Sequence, residues 1–141
     1  MRLAASLLLF SLSVASASGT LGVRVQVEAV PGLTFNRQVP SVATLTTPWG
    51  RQTASLNSGP LYPQDPQHYW ASLNPVRLRV KIPAGTATGR YPVSVRTTLY
   101  VCDQNIHLCS VRPSEASGSL EVGTQDTSLT LTLAVPRLRG F

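Results

Sequence analysis

The sequence lacks long runs with helical spacing of apolar residues, internal repeats, low-complexity tracts and blocks of like charge. The first absence removes helical bundles and α/β folds, whose helices place apolar residues every three or four positions. Charged residues are few, 13% of the chain, and only six are acidic. Twelve are basic, eleven of them Arg, giving a formal net charge of +6 at pH 7. The Arg residues stand singly, without clusters or interleaved aromatics, so no nucleic-acid partner is expected. A weak attraction to acidic partners or an anionic membrane surface is as far as this charge reaches. No Ser–His–carboxylate set, glycine-rich phosphate loop or paired-carboxylate motif is present, so hydrolase and nucleotide chemistry have no residues to stand on. No cofactor is expected.

One apolar run is present at the amino terminus. Met1-Arg2 supplies a positive charge, Leu3 to Val14 is apolar or small, and Ala15-Ser16-Ala17 has the small-x-small form of a cleavage site. This order is that of a secretory signal peptide. The run is broken by Ser11 and Ser13 and is shorter than the roughly 20 residues of a spanning helix. Residues 1–17 are therefore expected to be removed on export to the periplasm or cell envelope, leaving residues 18–141 with no membrane span. Without Arg2, 11 Lys and Arg stand against 6 Asp and Glu, a net +5.

The rest reads as short strands and turns, and residues 18–141 suit one domain. Val23, Val25 and Val27 alternate with Arg24, Gln26 and Glu28, and Pro31-Gly32 turns the chain. Val39 to Thr46 is β-rich, Pro48-Trp49-Gly50 is a second turn, and Gln52 to Leu56 is a short strand. Asn57 to Gln67, with Gly59, Pro60, Pro63 and Pro66, is irregular. Tyr62, Tyr69 and Trp70 lie in or beside it, as in a loop packed on a core or covering a site. Val76, Leu78, Val80 and Ile82 mark a strand that Pro83-Ala84-Gly85 ends. Tyr91, Val93, Val95, Thr97, Leu99 and Val101 share one face of the next. Cys109 opens a short run through Val111, Leu120 and Val122 alternate, and Leu129, Leu131, Leu133 and Val135 give a last strand before a frayed Arg137 to Phe141. Seven or eight strands and no helix predict an all-β, immunoglobulin-like antiparallel β-sandwich, with a barrel as the alternative.

Only two cysteines occur, Cys102 at the end of a strong strand and Cys109 after six intervening residues. Asp103-Gln104-Asn105 has turn character, so the thiols face each other across a hairpin, and an exported chain with two cysteines forms a disulfide by default. Closing this eight-residue loop stabilises by only about 2.5 kcal/mol in the chain-entropy model. Strain in so short a bridge would raise its reduction potential. From the residues alone the pair is open to a structural and to a redox-active reading. His107 and Arg112 could favour a thiolate, and Asp103 could accept a proton, though each is also an ordinary solvated hairpin residue. Cys102, Cys109, His107 and the remote His68 match no zinc spacing, and no metal site is expected.

The stretch Val76 to Gly85, then Gly89-Arg-Tyr-Pro-Val, then Thr98-Leu-Tyr-Val-Cys102 and on to Leu108-Cys109, resembles the amino-terminal domain of the thiol:disulfide interchange protein DsbD and its exported relatives. That family shows a strand ending in Pro-Ala-Gly, a Gly-x-Tyr opening, a strand ending in Tyr-x-Cys or Tyr-x-x-Cys, and a second cysteine shortly after. A fainter likeness covers Val27 to Phe35. The resemblance implies an immunoglobulin-like sandwich with Cys102 and Cys109 as the redox pair on a hairpin, and Cys109 as the attacking thiolate. It places a covering loop over Tyr62 to Trp70. Electrons would come from a membrane-embedded or thioredoxin-like thiol reductase and pass to oxidised exported proteins. The sequence departs from the family in having six residues rather than five between the cysteines, and Ser110-Val111-Arg112-Pro113 in place of an aromatic-proline run. It also lacks the family's transmembrane and thioredoxin-like domains, so donor and acceptor would be separate proteins. The competing expectation is a non-catalytic exported binding module with a structural disulfide.

Overall fold

The computed structural model describes residues 17–123 and 128–136. The expected signal segment lies outside these apart from Ala17, as does the expected frayed end from Arg137 to Phe141. Nine strands follow one another: β1 (Ala17–Val27), β2 (Leu33–Asn36), β3 (Ser41–Thr47), β4 (Gly50–Leu56), β5 (Tyr69–Trp70), β6 (Val76–Thr86), β7 (Gly89–Asp103), β8 (Leu108–Val122) and β9 (Leu129–Leu133). Among the described residues there is no helix, and so none long and apolar enough to cross a membrane.

Two sheets form the all-β, immunoglobulin-like sandwich. One has the order β6-β1-β9, with β1 antiparallel to β6 and parallel to β9. The other has the order β4-β3-β7-β2-β5, and β8 pairs with β7 along its full length. On its other side β7 carries β3 against residues 94–97 and β2 against residues 101–103. The alternation of apolar and polar side chains lays one face of each sheet into a shared core, where Val23, Val25, Val80, Leu133, Leu45, Val95 and Leu99 are buried. On the opposite parity Arg77 and Arg79 are exposed and Arg24 is half-buried.

The strand count differs from the sequence-based expectation for identifiable reasons. β2 and β5 have four and two residues, too few to show a period. β8 is one strand of 15 residues where two short runs were expected. Its middle, Ser110 to Ser119, holds few apolar side chains and is kept extended by its ladder with β7. The Pro83-Ala84-Gly85 stop is also corrected, since β6 runs on to Thr86 and its far end pairs with Ala17 past a register shift. As an edge strand, β6 tolerates a proline whose missing donor faces away from β1. Asn57 to Gln67 is irregular as expected, pinned by Ala71 N–H to Pro60 O (2.7 Å), Asn74 N–H to Ser58 O (2.7 Å) and Tyr62 N–H to Tyr69 O (3.0 Å).

Leu45 is fully buried between the sheets, so Leu45→Ala removes its contacts and leaves a cavity that strands on both sides are too constrained to fill. The expected loss is about 2–5 kcal/mol, seen as a lower urea midpoint with an unchanged slope.

Candidate functional site

The site is built from the tip of the β7–β8 hairpin. Cys102 and Cys109 are directly opposite each other in the ladder and form a disulfide, their Cα atoms 3.9 Å apart. Proline fixes the hydrogen-bonding parity of this ladder. Pro113 lies opposite Thr98 and Pro92 opposite Ser119, and neither has an N–H to give. Those positions therefore belong to non-hydrogen-bonded pairs, whose backbone groups point away from the partner strand. Tyr100–Val111 and Cys102–Cys109 share that parity. The short Cα separation agrees, since non-hydrogen-bonded pairs are the closer class, about 4.5 Å against 5.5 Å. So does Gln104, whose N–H turns away from β8 to donate to Gly32 O (2.9 Å).

Two consequences follow for the cysteines. The backbone of Cys102 points into the sheet toward β2, where Thr34 is its neighbour. Cys102 is only 4% exposed. The backbone of Cys109 points outward, because among the described residues β8 has no second strand beside it, and Cys109 is exposed. One cysteine is thus enclosed at the end of β7 and the other exposed at the sheet's rim.

The turn is rigidly specified. Asp103 Oδ1 accepts the N–H of Asn105 (2.9 Å), and His107 closes the turn in the left-handed region at φ 52°. Behind it stands a second turn, closed by Leu33 N–H to Val30 O (3.0 Å), with Pro31 at its second position and Gly32 at its third. Gly32 has φ 87°, and a Cβ there would strike the Asn105 amide, so glycine is required by conformation and by space. Thr34, 1% exposed, joins the two turns to the disulfide: its Oγ1 donates to Cys102 O (3.2 Å) and accepts from Gln104 Nε2 (2.8 Å).

The other candidates are distributed unevenly around this centre. Asp103 serves the turn through its carboxylate, while His107 is exposed on the tip. Arg112 has the opposite side-chain parity from Cys109 and leaves β8 on the core-facing side, beside Leu99. His68 Nδ1 is 2.7 Å from Asp65 Oδ1, in the loop before β5. Among the described residues no three His, Cys, Asp or Glu side chains gather as metal ligands would. Trp70 packs against the core, with Nε1 donating to Asn57 Oδ1 (2.9 Å) and the Arg37 guanidinium 4.6 Å over its ring. Tyr69 lies opposite Asn36 and so shares the outer sheet face with Thr34 and the disulfide. Tyr62 stands edge-on to it at 6.3 Å between ring centroids. Ideal sheet spacings put Tyr69 Cα about 12 Å from Cys102 Cα, two strands across and two residues along. The aromatic segment therefore flanks the disulfide on the β2–β5 side.

Gly32 and Gln104 were read from the sequence only as turn residues, and none of Gly32, Thr34 and Gln104 was a candidate site residue. The Pro31-Gly32 turn was legible, but its docking against a turn some seventy residues later is not carried by any local pattern. Searched against models of known protein families and against curated proteins, the chain matches none.

Thr34→Val keeps the shape and removes the hydroxyl, leaving the Gln104 amide without its acceptor. The variant should lose about 1–3 kcal/mol in urea unfolding with the disulfide intact. Gly32→Ala should lose about 1–2 kcal/mol from the left-handed backbone alone, and more where the Asn105 side chain cannot swing aside.

Proposed function

We propose that this chain is a thiol–disulfide exchange module working through Cys102 and Cys109. The observation that carries this reading is the unequal setting of two bonded cysteines, one 4% exposed and locked to Thr34, the other exposed on a strand whose outer edge has no partner among the described residues. An attacking thiol needs access to one sulfur, and the resolving thiol needs a fixed position behind it. In the reduced domain, the Cys109 thiolate attacks a sulfur of a partner disulfide. A Cys109–partner bond forms, the partner's bond breaks, and its second sulfur leaves as a thiolate. The Cys102 thiolate then attacks Cys109 Sγ and expels the partner's first sulfur. Two electrons have passed to the partner, and the Cys102–Cys109 bond is restored.

The resemblance of Val76 to Cys109 to the amino-terminal domain of DsbD adds to this reading, and so does the export-type amino terminus. The setting we infer is the periplasm or cell envelope, with a thioredoxin-like or membrane-embedded thiol reductase as donor and oxidised exported proteins as acceptors.

The test is the reduction potential of residues 18–141 equilibrated in glutathione buffers. Exchange proteins fall at about −120 to −270 mV, and a value in that span is expected; one below about −300 mV assigns the bond to a structural role in a non-catalytic module. Cys102→Ser should fold and accumulate a mixed disulfide through Cys109 when offered an oxidised protein. Cys109→Ser should fold and accumulate at least tenfold less, because its remaining thiol is buried.

A further inference from the structure

The exchange reading leaves open how a partner disulfide is brought to Cys109, and the edge of β8 supplies the means. We propose that the partner presents its cysteine on an extended segment that adds as a strand to the open edge of β8 at Cys109–Val111, directly opposite Cys109. This inference rests on the exchange reading and specifies the shape of the substrate.

Three observations carry it. First, the parity set by Pro113 turns the N–H and C=O of Cys109 and Val111 outward, where among the described residues no strand pairs with them. These groups are the row that an added strand uses. Secondly, the devices that blunt a sheet edge lie on the rest of β8 and not here. Pro113, Glu115, Gly118 and Glu121 interrupt or charge the strand from 113 onward, whereas 109 and 111 carry neither proline nor charge. Val111 is 55% exposed on the same face as Cys109, and Ile106 at the tip is 47% exposed, so the stretch is bordered by apolar surface.

The third is geometric. An antiparallel strand added at this edge would form its hydrogen-bonded pairs at Cys109 and Val111, with Cα atoms about 5.5 Å apart. Disulfides have Cα separations of about 4.4–6.8 Å, most often 5.5–6 Å. A cysteine opposite Cys109 on such a strand therefore lies within the Cα range of a mixed disulfide, and its Cβ, about 5.5 Å from that of Cys109 in a hydrogen-bonded pair, has about an ångström to close as the bond forms. Its side chain shares the outer face with Cys109 Sγ and leaves Cys102 behind the new bond, free to resolve it. A helical or tightly turned cysteine segment has no free backbone groups to offer this edge. The selected substrates are extended, cysteine-bearing segments.

The experiment uses the Cys102→Ser chain and two probes: a Thr-Val-Cys-Val-Thr peptide joined by a disulfide to 2-nitro-5-thiobenzoate, and glutathione joined to the same group. Release of the coloured thiol reports attack by Cys109. Val111→Pro removes one outward N–H while leaving the β7–β8 ladder intact; Val111→Ala removes the side chain and keeps the N–H. Val111→Pro should slow the peptide reaction about five- to tenfold more than the glutathione reaction, the factor one such bond is worth. Val111→Ala should slow the peptide reaction less. In the trapped peptide adduct, the amide hydrogens of Cys109 and Val111 should exchange at least tenfold more slowly than in the free protein. Equal peptide rates in the parent and Val111→Pro chains, or unchanged amide exchange in the adduct, overturn strand addition while leaving exchange in place. If the parent reacts with neither probe, the exchange reading itself falls.

Discussion

The 15-residue register between β7 and β8 is the constraint on which the site depends. A slip of one position would carry an entire set of side chains to the other face. Val93, Val95, Leu99 and Val101 would leave the core, and the cysteines would no longer stand opposite each other. The register is fixed by that apolar set on one face and by prolines 92 and 113, which fit only where no ladder donor is needed. The cross-strand pairs Arg96–Glu115 and Arg90–Glu121 follow from the register, but as exposed ion pairs they contribute little to holding it.

The difference between the two cysteines comes from what stands beside each strand end. Flanking strands alone do not cover the outer face of β7, where Arg96 and Thr98 are exposed, but Cys102 at its end has β2 with Thr34 and the docked Gly32 turn beside it. β8 is flanked on one side among the described residues, so its partner cysteine remains open. The Thr34 hydroxyl and the Gln104 amide then fix the inner cysteine's backbone and the turn in one unit. Gly32 lets the preceding turn come close enough to brace that unit. Positioning therefore comes from hydrogen bonds and packing.

Much of this was readable in advance where it is encoded by period. The alternations at Val23–Val27, Val76–Ile82 and Tyr91–Val101 each became a strand with the expected buried face, and that at Leu129–Val135 did so as far as Leu133. The disulfide between Cys102 and Cys109 follows from a strand that runs into a turn and returns. What was not readable has a common cause. The continuity of β8 through its serine-rich middle, the two-residue β5, and the contacts of Gly32 and Thr34 with the hairpin are imposed by neighbours distant in sequence. Arg112 shows the same limit at the level of one side chain: adjacency in sequence to Cys109 suggested a shared environment, but strand parity sends it to the opposite face.

An unpaired strand edge is a hazard in a chain of this composition. Val, Leu and Thr dominate, and opposed edges of such sheets join readily. Along most of β8 the hazard is met by Pro113, Glu115, Gly118 and Glu121. Among the described residues no strand pairs with the two residues before Pro113 on the outward parity, and one of them is the exposed Cys109. A structural disulfide would be served equally well by a charged or proline-blunted tip. Short length limits what can settle there: Pro113 ends the usable row after two outward-facing residues, so an added strand gains few hydrogen bonds and its residence is brief. Weak, local pairing suits a covalent exchange step, in which the sulfur–sulfur bond supplies the lasting attachment and the backbone contacts need only orient the approach.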